Sequence, residues 1–382
     1  MEGIFSYGKP VSGKNFVGRR NELTIFSNLI WNGGNVVIYE PPKSGKTSLL
    51  QQAFFNMRIS GKQFGTAEMS LLNIRGIDAF MLTLGSEIIR AEATTPDEFD
   101  SIVKGCLPDT HFVFDPVAYA EKDAVLSLNW DMDENDIRSI FCLPYRLAAV
   151  KGRKMIVIID EFQNICFLDN WEKICKIAEE VMQNSQNELC SYVLMGSRVN
   201  AMKEIFEHRV FFYRIVNHLK FSDIDTREIT DSIVKGFLTG GKVIDRDQMM
   251  SVCKLFRSNI WYINQFASIC DHLTKGYITD GTLADALAML VALHEPRFRD
   301  QTADLTGFQT SLLRAALEGV KKFSSAEVIE RYGLNSSANV RRLKDALCKK
   351  EIITFGENDE PIVLDPLFEY WARHSFFGIK DE

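Results

Sequence analysis

The sequence predicts an α/β domain built on a parallel sheet, then a small all-α unit, then three helices closed by a β-hairpin. Three observations carry this. Up to about Asn217, short apolar runs alternate with helical segments, as an α/β fold requires. From about Phe221 to His294 the strand-like runs stop. From Gly307 to about Arg373 the order is helix, helix, helix and two short strands, the winged-helix pattern. A chain of 382 residues exceeds one ordinary core, and the expected domains are 1–218, 219–300 and 301–382.

The first region has three strands that read clearly: Val36 to Tyr39, Met155 to Ile159 and Tyr192 to Met195. Each is a nearly unbroken apolar run, as expected of a strand buried on both faces of a parallel sheet. Thr47 to Met57 and Trp171 to Gln183 read as helices between them. Phe112 to Phe114 and Val125 to Leu128 are further candidate strands in a stretch, Thr94 to Asp133, to which no role is assigned. In the second region, Ile229, Ile233 and Phe237 recur at helical spacing after Asp223 and Asp225, which suit an N-cap. Met250, Cys253 and Leu255 mark a second helix, and Ile263, Phe266, Ile269 and Cys270 a third. Pro296 and the polar run Arg297 to Thr306 read as a linker. In the last region, Leu312 to Leu317 gives one helix, Ser324-Ser325 caps another, and Asn335-Ser336-Ser337 opens a third with Val340, Leu343 and Leu347 inward. Ile352 to Phe355 and Ile362 to Leu364 form the hairpin.

Composition narrows the class. The chain is 46% apolar and 25% charged, the profile of a folded, water-soluble protein. A net charge of −7 argues against a general DNA-coating protein, which would be basic. The eight cysteines show no CxxC spacing and no histidine cluster, so neither a zinc site nor a redox pair is signalled. No signal peptide and no 18-residue apolar run is apparent, which makes the cytoplasm the expected location and a membrane partner unexpected.

Chemistry concentrates after the first clear strand. Glu40-Pro41-Pro42-Lys43-Ser44-Gly45-Lys46-Thr47 joins a buried strand to a helix, the context that a P-loop requires. Such a loop turns its amides around phosphate at a helix N-terminus. Pro42, Lys43, Ser44, Gly45, Lys46, Thr47 and Ser48 are therefore candidate nucleotide contacts, with Lys46 for the β- and γ-phosphates and Thr47 for Mg²⁺. Asp160 and Glu161 end the second apolar strand, the Walker B arrangement. Asp160 is the second candidate for Mg²⁺ and Glu161 the candidate general base; the same pair would also suit a helix cap. Glu40 replaces the loop's usual first glycine, so its carboxylate either strains the turn or points away. Gly196-Ser197-Arg198 ends the third strand, where Ser197 or Arg198 would sense the γ-phosphate or simply form a polar turn. Arg214 reads either as a phosphate contact or as a surface ion-pair former.

Phe16-Val17-Gly18-Arg19, the P-loop, Ile159-Asp160-Glu161-Phe162-Gln163, Leu194-Met195-Gly196-Ser197 and Phe212-Tyr213-Arg214 occur in a characteristic order. Together they resemble the archaeal-type ATPases of the STAND branch of the AAA+ superfamily, and most closely the bacterial ATP-binding proteins of that group that end in a winged helix. The resemblance implies a P-loop NTPase αβα sandwich with a parallel sheet, an all-α lid and a C-terminal winged helix. It implies ATP or ADP with Mg²⁺ as ligands and Phe16, Val17 and Gly18 against the adenine. Lys46, Asp160 and Glu161 would then serve hydrolysis, Ser197 the sensor position and Arg214 the arginine of the YGR-like motif. Two positions depart from that pattern: Glu40, and Ser258-Asn259-Ile260 where the family's lid carries a glycine–x–proline step.

On the last unit, Arg341, Arg342, Lys344, Lys349 and Lys350 make one helix basic. Residues 301–382 nevertheless hold eleven Lys and Arg against thirteen Asp and Glu, a net of −2, and Glu357, Asp359 and Glu360 would sit beside phosphates. The expectation is a slow ATPase acting as a nucleotide-dependent switch on a winged helix that contacts protein. The alternative is a non-hydrolysing, nucleotide-gated DNA-binding regulator.

Overall fold

The computed structural model describes residues 5–121, 124–185 and 188–380. The extreme termini assigned above to the first and last domains, and Lys122 and Asp123 in the unassigned stretch, lie outside them. The chain divides into two compact units, one of Arg20–Glu40 and Leu49–Phe221, the other of Met1–Arg19, Pro41–Ser48 and Ser222–Glu382.

The first unit contains α1 (Arg20–Trp31), β1 (Asn35–Tyr39), most of α2 (Lys46–Ile59), β2 (Phe64–Ser70) and α3 (Ile77–Arg90). Then come α4 (Pro96–Cys106), β3 (Phe112–Phe114), α5 (Pro116–Ala120), β4 (Leu126–Leu128), α6 (Glu134–Lys151), β5 (Lys154–Asp160), α7 (Trp171–Asn184), β6 (Cys190–Gly196), α8 (Val199–Lys203) and β7 (Val216–His218). Five of these strands form one parallel sheet in the order β2-β5-β6-β1-β7. The three strands legible in the sequence are its centre, and Val36, Ile38, Ile156 to Ile159 and Tyr192 to Met195 are wholly buried. β2 and β7 were not foreseen. β2 lies at the edge and buries only every second residue, so its run FGTAEMS lacks the apolar signature of its neighbours. β7 has three residues, none of them fully buried, too short a run to register.

The unassigned stretch is an antiparallel β3–β4 pair with α4 and α5. His111, Asp133 and Asp136 cluster there. Asp136 is the third residue in the capping box of α6, and its carboxylate accepts the amide N–H groups of His111 and Asp133 and faces His111 Nδ1 at 2.8 Å. The cluster is a helix cap with its acceptors satisfied.

The second unit contains α9 (Thr226–Thr239), β8 (Val243–Ile244), α10 (Arg246–Leu255), α11 (Ile260–Leu273), β9 (Tyr277–Ile278) and α12 (Asp280–Ala303). The winged-helix elements follow: α13 (Gly307–Leu317), α14 (Ala326–Arg331), α15 (Ser337–Lys349), β10 (Ile353–Phe355), β11 (Pro361–Val363) and α16 (Pro366–Trp371). The caps fall where the side chains predict them, with Asp225, Ser325 and Ser336 each accepting an amide of the first turn. The hairpin is antiparallel.

Two expectations are corrected. The helical region is not purely α, because β8 and β9 pair in parallel. The stretch from Pro296 is not a linker: α12 runs through it to Ala303. Phe298 is fully buried there and touches the rings of Phe368 and Trp371, while the buried Thr302 hydroxyl bonds back to the Phe298 carbonyl. Burial of that face outweighs the helix-breaking tendency of one proline. The lid helices and the winged helix share one hydrophobic cluster, which runs from Phe5 and Phe237 to Leu347 and Trp371. Among the described residues no helix is long and apolar enough to cross a membrane.

Candidate functional site

At the carboxyl edge of the sheet, Ile159 of β5 pairs with Leu194 of β6, and Tyr39 of β1 pairs with Gly196. Glu40, Asp160, Glu161 and Ser197 therefore leave the sheet from the same edge, where open parallel sheets hold their ligands. The loop 41–48 follows Glu40 by chain continuity, and α2 opens at Lys46. Its first amides point out of the helix with no intrahelical acceptor.

Within the loop the backbone turns at Lys43 (φ +64°) and Gly45 (φ +96°). Glu40 is not in the left-handed region, so the glycine missing there costs no strain. Its carboxylate instead accepts the Phe221 amide at 2.9 Å. Of the two outcomes left open by the sequence, the strained turn is not the one adopted. Lys46 is buried, and its ammonium donates to the Pro41 carbonyl at 3.1 Å. Ser44 Oγ is buried without a hydrogen-bond partner, and a Cβ added at Gly45 would meet nothing within 4 Å. Unanswered donors, a lysine and an open glycine at a helix start are what a phosphate anion satisfies.

The N-terminal segment reaches the same loop. The Val11 amide donates to Ser48 Oγ at 3.1 Å, and Arg19 donates to the carbonyls of Ser44 at 3.2 Å and Ser222 at 2.9 Å. Gly18 has φ +74°, and a Cβ there would lie 2.3 Å from Ile224 Cγ2; only glycine fits. Val17 packs on the lid core, and the Phe16 amide closes a turn on Gly13. At the lid position that departs from the family pattern, Arg257 and Ser258 both have positive φ and Asn259 caps α11. Trp261 follows, donating from Nε1 to the Tyr7 carbonyl at 2.7 Å, with Lys43 Nζ 5.5 Å from its ring centroid.

At the end of β5, Asp160 Oδ1 accepts the Glu161 amide at 2.8 Å, and Glu161 takes a left-handed turn at φ +52°. Ser197 Oγ donates to Glu161 Oε2 at 2.7 Å, and Gln163 Nε2 donates to the same oxygen. The structure thus brings Asp160, Glu161 and Ser197 together. Arg214 is not among them: it is exposed, its guanidinium lies over the Tyr213 ring at 5.0 Å, and among the described residues no hydrogen bond or ion pair ties it to the other three.

Beside β1, the Tyr39 hydroxyl donates to Glu207 at 2.6 Å and lies 3.2 Å from His218 Nδ1, with the two rings stacked. Burial pulls His218 down to about 4, and burial with the Glu207 bond pushes the Tyr39 phenol well above its ordinary value. Arg19, Gln163 and Trp261 carry contacts that sequence reasoning missed. The first two stand inside the FxGR and DEFQ motifs, which was the one available signal; Trp261 had none.

Sheet, loop and winged helix together make a parallel-sheet α/β P-loop fold followed by helices and a winged helix. Two solved structures share it along nearly the whole chain. One is a Walker-type ATPase of Pyrococcus abyssi, with a TM-score of 0.68 and 15% identity over 97% of this chain and 99% of that one. The other is the ORC2 protein of Aeropyrum pernix, solved as ADPNP–ADP complexes, with a TM-score of 0.52 and 14% identity over 93% of both chains. Residues 296–374 match the family described as "Probable winged helix domain". Among curated proteins no sequence matches.

Proposed function

We propose that this chain binds ATP or ADP with Mg²⁺ and hydrolyses ATP slowly, as a STAND-type switch whose nucleotide state governs its winged helix. The observation that carries the reading is the loop 41–48, with the buried Lys46, the unanswered Ser44 hydroxyl and the opening of α2. The amides of Pro42 to Ser48 that are not proline, with Lys46, hold the phosphates; Thr47 and Asp160 hold the metal. Mg²⁺, when bound, would supply positive charge to the phosphate oxygens. Glu161 takes a proton from the attacking water as the new P–O bond to the γ-phosphorus forms and the bond to the bridging oxygen breaks, ADP leaving. Ser197, on the Glu161 carboxylate, fits the sensor position, and Phe16, Val17 and Gly18 fit the adenine side. Arg214 fits the arginine of the YGR-like motif and is the remaining candidate phosphate contact. The domain assignment 1–218, 219–300 and 301–382 and a cytoplasmic location belong to the same reading.

Phosphate release should be measured for the wild type, Lys46→Ala and Glu161→Gln. Turnover that depends on both residues supports the reading, and turnover indifferent to Lys46 would sink it.

On the winged helix, the Lys344 ammonium is paired with Asp359 of the wing and lies 4.0 Å from the Phe355 ring centroid. That removes one cation from α15 and favours a protein partner. The second reading, a non-hydrolysing, nucleotide-gated DNA-binding regulator, rests on Arg341 and Arg342, both exposed. It predicts salt-sensitive DNA affinity lost on Arg341→Ala with Arg342→Ala, and unchanged binding in that double variant would eliminate it.

A further inference from the structure

We infer that Gln163 is a positioning residue for Glu161, gripping its carboxylate together with Ser197 so that one oxygen is held and the other left to take a proton. This rests on the reading of Glu161 as general base. The Gln163 side chain is 3% exposed, in a turn directly after β5. Its Nε2 and the Ser197 hydroxyl both donate to Glu161 Oε2, while Glu161 Oε1 receives neither. Glu161 itself sits in a left-handed turn, where a carboxylate would swing freely without such donors. Two donors on one oxygen fix the plane of the group.

The neighbouring sequence makes room for this grip. Gly196, at the end of β6, lies directly against Gln163: an added Cβ would be 2.7 Å from Gln163 Oε1 and 2.5 Å from the Met202 side chain. Glycine there is what lets the amide lie across the strand end and reach Glu161. Gln163 Oε1 is itself buried without a hydrogen-bond partner. A buried amide is held in place at the cost of one unanswered acceptor, which a purely structural glutamine would not need to bear. The two motif pieces Asp160-Glu161-Phe162-Gln163 and Gly196-Ser197 are thus one device: an amide from one, clearance and a hydroxyl from the other, both directed at a single carboxylate.

The test compares Gln163→Met, which keeps the volume and removes the donor, with Gln163→Glu, which places a second carboxylate against Glu161. Gln163→Met should lower kcat about tenfold or more while leaving the KM for MgATP and the Kd for MgADP within about twofold. Its kcat matching wild type, with Lys46-dependent turnover present, would overturn the inference and leave the proposed function intact. If the wild type shows no Lys46-dependent turnover, the proposed function fails and the grip is judged by stability instead. Like charges at this distance repel, so the melting temperature of Gln163→Glu at pH 7.5 should lie below that of Gln163→Met. Equal melting temperatures for the two variants would overturn the inference on that arm.

Discussion

The carboxylate of Glu40 holds the backbone N–H of Phe221 at 2.9 Å, across 181 positions of sequence. The residue that replaces the expected first glycine of the phosphate loop is therefore a cap on the chain leaving β7. In the other unit, Arg19 binds the Ser222 carbonyl and the Ser44 carbonyl of the loop. Glu40 and Arg19 between them hold two consecutive residues of the strand exit.

Restoring the glycine should accordingly weaken the protein without improving its site. Glu40→Gly is expected to lose about 1–3 kcal/mol in urea unfolding, the value of a hydrogen bond to a charged acceptor. Its Kd for MgADP should stay within about threefold of wild type, because the carboxylate is already engaged elsewhere. Tenfold tighter binding would mean that Glu40 faces the phosphates.

Gly18 meets two constraints at once, a left-handed backbone and a Cβ contact of 2.3 Å with Ile224. Gly18→Ala should destabilise by about 2–4 kcal/mol, from the conformational cost and overpacking together. Chemical denaturation reads this directly, and a loss under 0.5 kcal/mol would contradict the packing described.

His218 links stability to pH. Burial holds it neutral, with its value pulled from 6.5 to about 4. Between those values the unfolded chain binds a proton that the folded chain refuses, so stability falls as pH drops. The contribution is complete above about 6.5 and disappears as pH falls through about 4. Melting temperatures from pH 7.5 to 4.5 should fall less steeply for His218→Gln than for wild type; identical slopes would remove His218 as the cause.

Phe298 tests the continuity of α12 past Pro296. Phe298→Ala removes a fully buried ring that touches Phe368 and Trp371 and should cost about 3–5 kcal/mol. A neutral result in thermal and urea unfolding would return this stretch to the status of a surface linker.

Much of the protein is written locally. The central strands β1, β5 and β6 were legible because a strand buried on both faces must be apolar throughout. The caps at Asp225, Ser325 and Ser336 were legible because a short oxygen-bearing side chain before an apolar periodicity satisfies amides within the same turn. The candidate loop and the acidic end of β5 could be read for the same reason, as each is a run of neighbouring residues. The edge strand β2 was hidden by its half-exposed face, and α12 by a proline and a polar run whose buried members, Phe298 and Thr302, are spaced four apart.

By itself, the sequence determined the three central strands, the helix caps and which residue types stand at the strand ends, since periodicity and capping act over a few residues. Only the tertiary structure decided where Glu40 points, that Gln163 and Ser197 meet on one oxygen of Glu161, and that Arg214 stands apart from them. Those contacts join residues from separate elements, or depend on which rotamer the packing leaves room for. No local pattern carries that information, because it is fixed only when the sheet aligns its strand ends.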